Sequence, residues 1–507
     1  MMNSRRVFPA FILVLTIIDA SLAFDYSEAV DKSLLFFEAQ RSGKLPGTQR
    51  VKWRGDSGLY DGYQQKVNLV GGYYDAGDHV KFGLPMAYSV TMLSWGAIEY
   101  GRNMMDLNQM GHVLNAIKWG TDYFIKAHSQ PNVLWGQVGD GDSDHYCWER
   151  AEDMTTPRTA YKLDTEHPGS DLAGETAAAM AAAAIAFRPY NSSYSDLLLV
   201  HAKQGTFHGL NAVCKRVLYI IGLLGKMNCC GRQHGCIEQP KTFSWDNKYA
   251  ASMGGTGWAV KEFSWDNKYA GVQILLSKVL IDGDGGAYTA TLKQYQAKAD
   301  YFACACNQKN AGYNAPLTPG GLLYLHEWNN MQYAASAAFL LVVYSDYLSA
   351  AKSVLKCPHA NVQPQELLMF AKSQACLDLI KADYILGKNP KSMSYMVGYG
   401  QNYPIHVHHR GASIASISVL HSVVGCVQGF DAWYRRPEAS PNVVHGGLVG
   451  GPDKNDNFED DRSSYEQTEP TLSGTAPLVG LFSKLHSINS HYAAGPTPTK
   501  GQSNSCE

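Results

Sequence analysis

Apolar residues recur at helical spacing along nearly the whole chain, in segments that stop at Gly and Pro, and no run alternates convincingly as a half-buried strand. YSEAVDKSLLFFEAQRSGKLP ends at Gly43 and Pro46. GSDLAGETAAAMAAAAIAFRP opens on Ser170-Asp171 as a cap and runs through Ala-rich sequence to Pro189. The same pattern predicts helices near 86–101, 109–128, 265–281, 288–305, 331–350, 364–386 and 472–488. About ten or more helices joined by long polar loops imply an all-α domain of paired helices, and nothing separates a second domain. Loops of that length without structure of their own usually carry function.

The N-terminus reads differently. Arg5 and Arg6 precede an apolar run that ends at Ser21-Leu22-Ala23, the order of a secretory signal covering 1–23. No second apolar stretch is read as long enough to span a bilayer, so a soluble, exported, extracellular protein without a membrane partner is expected. Residues 492–507 are low in apolar residues and are expected to be disordered. A formal net charge of -2 gives no field for nucleic acid. Eleven Cys is an odd number, so at least one lies outside any internal bridge. Export permits disulfides, and no Cys/His set has zinc spacing. GDGDSD, Gly139 to Asp144, lacks the Gly and the distant Glu of an EF-hand loop, so no metal site is assigned. Asn191-Ser192-Ser193 is a glycosylation sequon. The chain holds 30 Tyr and 10 Trp, which suit either a neutral partner with apolar faces, such as a sugar, or an aromatic core.

Three loops concentrate polar and aromatic residues. GGYYDAGDHVKFG, Gly71 to Gly83, sets Asp75 and Asp78 three apart in one turn. SYMVGYGQNYPIHVHHRG, Ser394 to Gly411, carries His406, His408, His409 and Arg410. GGPDKNDNFEDDRSSYEQTEP, Gly451 to Pro470, carries Asp460, Asp461, Glu466 and Glu469. Singly, each has a structural reading: a capped turn, a buried His satisfied by a hydrogen bond, a solvated acidic face. Jointly they supply two carboxylate loops with a His/Arg loop between. Glycoside hydrolysis needs two carboxylates in one cleft, one as acid and one as base or nucleophile, with environments that push their pKa values apart.

Several long motifs, in order, resemble the plant secreted endo-β-1,4-glucanases of glycoside hydrolase family 9. They are GGYYDAGDHVKFG, HYCWERAEDMTTPRTAYKLD, PGSDLAGETAAAMAAA, FSWDNKYAGVQILLSK, LYLHEWNNMQY, SYMVGYGQNYP with HHRG, and DNFEDDRSSYEQTEP. The resemblance covers a catalytic domain over 24–491. It implies an (α/α)6 barrel with long catalytic loops on one face and an inverting hydrolysis of internal β-1,4-glucosidic bonds. It also implies a β-1,4-glucan substrate, no cofactor and a monomer. By match, Asp78 is the general base, Asp75 helps hold the attacking water, Glu469 is the general acid, and Asp460 is the other acidic position of its signature. His408 and Arg410 match residues that grip the sugar. His145 and Trp148 match residues lining the cleft, and Trp265, Trp328 and Tyr333 are the expected stacking platforms. Two departures are Thr475-Ala476, where the family has Asn-Ala, and Thr468, where Ser is common.

One region breaks the pattern. FSWDNKYA occurs twice, at Phe243–Ala250 and Phe263–Ala270, and only the second copy continues in family style. The family also carries an upstream segment like DELLWAAAWLHRATK, where this chain reads KMNCCGRQHGCIEQPK, Lys226 to Lys241. Codons can be chosen for the latter so that reading from the third base of the first Lys codon spells the former. Residues 205–251 are therefore expected to be frameshifted, with Cys214, Cys229, Cys230 and Cys236 as out-of-frame products and the first FSWDNKYA as a duplication or joining error. Such a break leaves a rival reading, a carbohydrate-binding relative impaired in turnover. Sequencing the transcript is expected to restore the upstream segment. An uninterrupted frame encoding KMNCCGRQHGCIEQPK in a fully active protein would refute the frameshift.

Overall fold

The computed structural model describes residues 24–204, 261–374 and 384–493. The expected signal segment, the 205–251 stretch and the chain beyond 493 lie outside the described residues.

Ten long helices lie among the described residues: α1 Tyr26–Ala39, α2 Gly83–Asp106, α3 Met110–Ala127, α4 Ser170–Phe187, α5 Ser192–Gln204, α6 Tyr269–Ile281, α7 Thr289–Cys306, α8 Asn330–Ala350, α9 Pro364–Gln374 and α10 Leu472–Ala493. They pair in succession: α2 with α3, α4 with α5, α6 with α7, α8 with α9, and α10 with α1. Helix α2 also packs on α4 and α10, and α8 packs on α6 and α10, so these members form the inner ring of an (α/α)6 barrel. An inner helix has neighbours on all sides and must be apolar or small all round. Helix α4 meets this with Ala, buried from Ala173 to Ala184 without a break. Small side chains there let its backbone approach α2.

Helix α8 corrects one expectation. Its 21 residues are long and apolar enough to cross a bilayer, but they are mostly buried inside the protein, as an inner barrel helix requires. Helix α10 runs two residues past the expected boundary at 491. Short strands also escaped the pattern reading. β1 Lys81–Phe82, β2 Leu134–Val138 and β3 Ala160–Leu163 form an antiparallel sheet in that order, and β4 Leu355–Lys356 pairs with β5 Asn361–Val362. Runs of two to five residues are too short for alternation to register. Asn191 of the sequon is exposed and caps α5, accepting the Tyr194 N–H. Disulfides join Cys147 to Cys426 and Cys304 to Cys357, while Cys306 is a buried free thiol.

The turn holding Asp75 and Asp78 leads into β1, whose Lys81 is fully buried. Its Nζ meets the Asp61 carboxylate at 2.7 Å and donates to the carbonyls of Leu69 and Gly71. Arg158 closes on the same carboxylate at 2.9 and 3.0 Å and donates to the His79 carbonyl. One buried anion thus ties two cations and the backbone next to Asp78. Asp61→Ala strands both cations, and a loss of about 3–5 kcal/mol is expected by urea denaturation at neutral pH. A loss below about 1 kcal/mol would mean that water replaces the carboxylate without penalty.

Candidate active site

The Asp75–Asp78 turn is tight. The Asp78 N–H donates to the Asp75 carbonyl and the Asp75 N–H to the Val80 carbonyl, with Ala76 in the left-handed region at φ +49°. A non-glycine residue holds that conformation only when its surroundings impose it. Gln40 does so from the end of α1: its amide donates to the carbonyls of Tyr74 and Ala76, and its Oε1 accepts from His409 Nε2 at 2.8 Å. The first loop is thereby locked to the His/Arg loop. Gly77 lies between the two, where a Cβ would sit 2.5 Å from the His408 carbonyl oxygen and 3.1 Å from Glu469 Oε1. Only glycine allows that approach.

Arg410, buried at 2% exposure, is the centre of the site. Its Nε donates to the Cys147 carbonyl. Nη1 reaches the Gly77 carbonyl at 3.0 Å and Asp78 Oδ1 at 2.7 Å, and Nη2 reaches the Asp144 carbonyl at 2.8 Å and carboxylate at 3.1 Å. Asp78 Oδ2 faces His145 Nε2 at 3.3 Å. Burial opposes ionisation of Asp78, but the His145 hydrogen bond and the Arg410 charge outweigh it and hold the carboxyl at about 2. Glu469 accepts the Gly77 N–H at 3.0 Å. Burial and the negative Asp78 lift it to about 8. Burial and Asp78 likewise lift Asp75 to about 7. The two principal carboxyls therefore stand on opposite sides of neutrality, one a ready base and the other a held acid.

His408 donates from Nδ1 to the Arg462 carbonyl at 2.7 Å, and burial lowers it to about 4, so it is a neutral imidazole with Nε2 as acceptor. Tyr465 packs its ring 5.6 Å from His408 and 4.9 Å from Trp328, which is 50% exposed. Trp328 thus stands open at the rim. Trp265 is half-buried against the barrel core.

Other assignments need correction. Trp148 lines no cleft, being 1% exposed. The Arg410 guanidinium lies 4.9 Å over its ring, His408 and Tyr434 pack against it, and its N–H donates to Ser413. It is the floor under the site's cation. Tyr333 is 6% exposed within α8, and its ring is stacked on His326 at 5.0 Å, which removes it as an open platform. Asp460 spends both oxygens on the backbone N–H groups of Ile405 and His406, so it holds the His408 loop in place. The departures are accommodated. Thr475 accepts the buried Leu448 N–H, and the Thr468 hydroxyl donates to the Asp461 and Ser464 carbonyls.

Asp144 and Tyr465 carry parts of the site that the sequence reading did not assign. Asp140 caps the short helix Gly141–His145 through the Ser143 N–H, which turns Asp144 inward to accept the His79 N–H at 3.2 Å and to pair with Arg410. The Asp-x-x-Ser cap in GDGDSDH is the local mark that could have shown a helix end here instead of a cation loop. Asp78, Asp144 and His145 bring ligand-type atoms within 4.8 Å of one another, but the Arg410 guanidinium already supplies the positive charge between the two carboxylates.

The profile of glycosyl hydrolase family 9 matches residues 26–207 and 236–482, and its interruption falls inside the 205–251 stretch. Endoglucanase 5 of Arabidopsis thaliana is 63% identical over 476 residues, 91% of this chain and 74% of its own length. Endoglucanase 13 of Oryza sativa subsp. indica is 58% identical over 476 residues, covering 91% and 75%. Among solved structures, the endoglucanase of the termite Nasutitermes takasagoensis superposes with a TM-score of 0.71 at 34% identity, covering 92% of this chain and 100% of that one. Cel9M of C. cellulolyticum in complex with cellobiose superposes with a TM-score of 0.68 at 29% identity, covering 92% and 99%.

The charge arrangement carries a pH signature. With Glu469 as the proposed proton donor, kcat/KM is expected to fall on the alkaline side with an apparent pKa near 8. With Asp78 as the proposed base, the acid limb is expected far lower. A pH–rate profile flat through pH ~9 would assign the proton to another group.

Proposed function

The chain belongs to glycosyl hydrolase family 9, and from that premise we propose a division of labour among its acids in which Asp78 is the base and Glu469 the acid of one inverting displacement. The protein is an endo-β-1,4-glucanase, a hydrolase acting on internal bonds of cellulose and related β-glucans. The observation that supports the division is the split of the two carboxyls, Asp78 held at about 2 and Glu469 lifted to about 8. In this reading Asp78 takes a proton from water as that oxygen attacks the anomeric carbon. Glu469 gives its proton to the glycosidic oxygen as the C–O bond breaks. Asp75, in the same turn, accepts the water's other hydrogen. Arg410 keeps Asp78 ionised and oriented, His408 offers an acceptor to a sugar hydroxyl, and Trp328 offers an exposed face to a glucose ring. Trp265 is a second, half-buried face.

The reading as a binding relative without turnover is favoured by no observation, since Asp75, Asp78 and Glu469 are gathered in one site. We also propose that the chain is exported and acts as a monomer. The Arg5-Arg6 and apolar opening and the two disulfides suit an oxidising compartment.

Inversion requires room for a water between the two carboxyls, a separation of about 6.5–9.5 Å. NMR of the first-formed product is expected to show the α-anomer, and an initial β-anomer would refute the single displacement. Glu469→Gln is expected to lose about 10²–10⁴-fold on cellulose but much less on an aryl glucoside whose leaving group needs no proton. Asp78→Asn should cripple both substrates. Equal losses of Glu469→Gln on both would reassign the acid.

A further inference from the structure

Residues 414–434 form a lobe with a small core of its own. Ile414, Val424, Leu420, Phe430 and Tyr434 pack around Trp148, apart from the barrel core. The lobe is pinned at several points. Arg150, buried at 1% exposure, donates to the carbonyls of Ala415, Leu420 and Ser422. Asp153 accepts the Val424 N–H, and the Cys147–Cys426 bridge joins the lobe to the segment bearing His145. Gly429 lies against Trp148 so closely that a Cβ would sit 1.3 Å from its carbonyl oxygen. Such fixing is more than a surface loop needs.

The outer face of this lobe carries three exposed valines set among the polar Ser418, His421, Ser422 and Gln428. Val419 is 77% exposed, Val423 65% and Val427 74%, and Tyr146, beside Cys147, is 84% exposed. Residues 411–430 contain no Asp, Glu, Lys or Arg. Exposed apolar groups concentrated on a rigid segment mark a contact surface. Its edge adjoins the reacting centre: Tyr146 follows His145, whose imidazole meets Asp78 at 3.3 Å. A surface that begins one residue from His145, carries no Asp, Glu, Lys or Arg up to Phe430 and is already ordered fits a neutral polymer with flat C–H faces, and its rigidity removes the ordering cost of binding.

We infer that Tyr146 with Val419, Val423 and Val427 forms an outer contact for the β-1,4-glucan chain where it leaves the cleft past His145, a proposal that rests on the glucanase reading above. The contact holds long chains and is not used by short ones. Two variants test it: Tyr146→Ala, and the triple Val419→Ser/Val423→Ser/Val427→Ser, all at exposed positions. Adsorption to swollen amorphous cellulose in the cold is expected to weaken about five- to tenfold. Turnover of 4-nitrophenyl β-cellotrioside should stay within about twofold of the unaltered chain. Unchanged adsorption of both variants would overturn the proposal. So would a triple variant that converts a dimer to a monomer with adsorption intact, because the face would then join two copies of the chain. Turnover of the short substrate by the unaltered chain reports on the hydrolase reading, and adsorption reports on the outer face, so the two fail separately.

Discussion

A buried guanidinium organises this protein's chemistry. Arg410 uses its planar fork on two carbonyl-bearing loops and two carboxylates, with an indole beneath it. Four acids, Asp75, Asp78, Asp144 and Glu469, share this region, and the guanidinium pairs directly with two of them. Each added charge raises the cost of ionising the next. Arg410 touches Asp78 and Asp144, and His145 adds a hydrogen bond to Asp78. Asp78 is therefore the acid that ionises first, and its charge then helps keep the proton on Glu469. The acid–base split follows from where one cation was placed, not from any property of the two carboxyls alone.

Placing that cation takes most of the non-barrel structure. The barrel supplies a stiff base, with helices of small and apolar residues packed on all sides. Above it, the turn at 75–78 is fixed from behind by Asp61, Lys81 and Arg158 and from the side by Gln40 and His409. The His/Arg loop is held by Asp460 and by the His408 bond to the Arg462 carbonyl. Each contact joins segments that are far apart in sequence, so the site is a product of loop-to-loop bonding over a rigid scaffold.

Much of this was legible beforehand, and for local reasons. Helical spacing, caps and breakers predict most of the long helices because a helix closes its hydrogen bonds within a few residues. The two acids of the turn, His408, Arg410 and Glu469 stand out as dense polar stretches between apolar helices. The aromatic assignments divided. Trp328 is exposed at the rim, whereas Trp148 and Tyr333 are enclosed by Arg410 and His326. An aromatic residue carries no local mark of whether its face meets solvent or a neighbour. Asp460 matched as an acid of the site and proved to be a brace for backbone N–H groups, which a motif alone does not distinguish.

The sequence by itself determined the helical class, the order of the catalytic loops and the residue types available for acid–base work, because each depends on patterns within a short span. Only the tertiary structure decided which carboxyl keeps its proton, which ring is exposed, that Asp144 belongs to the site, and which cysteines pair. These outcomes depend on burial and on charges brought together across the chain: Arg410 and Asp78 are 332 residues apart in sequence and 2.7 Å apart in space. Coulombic and desolvation energies act over that second distance, and the sequence gives only the first.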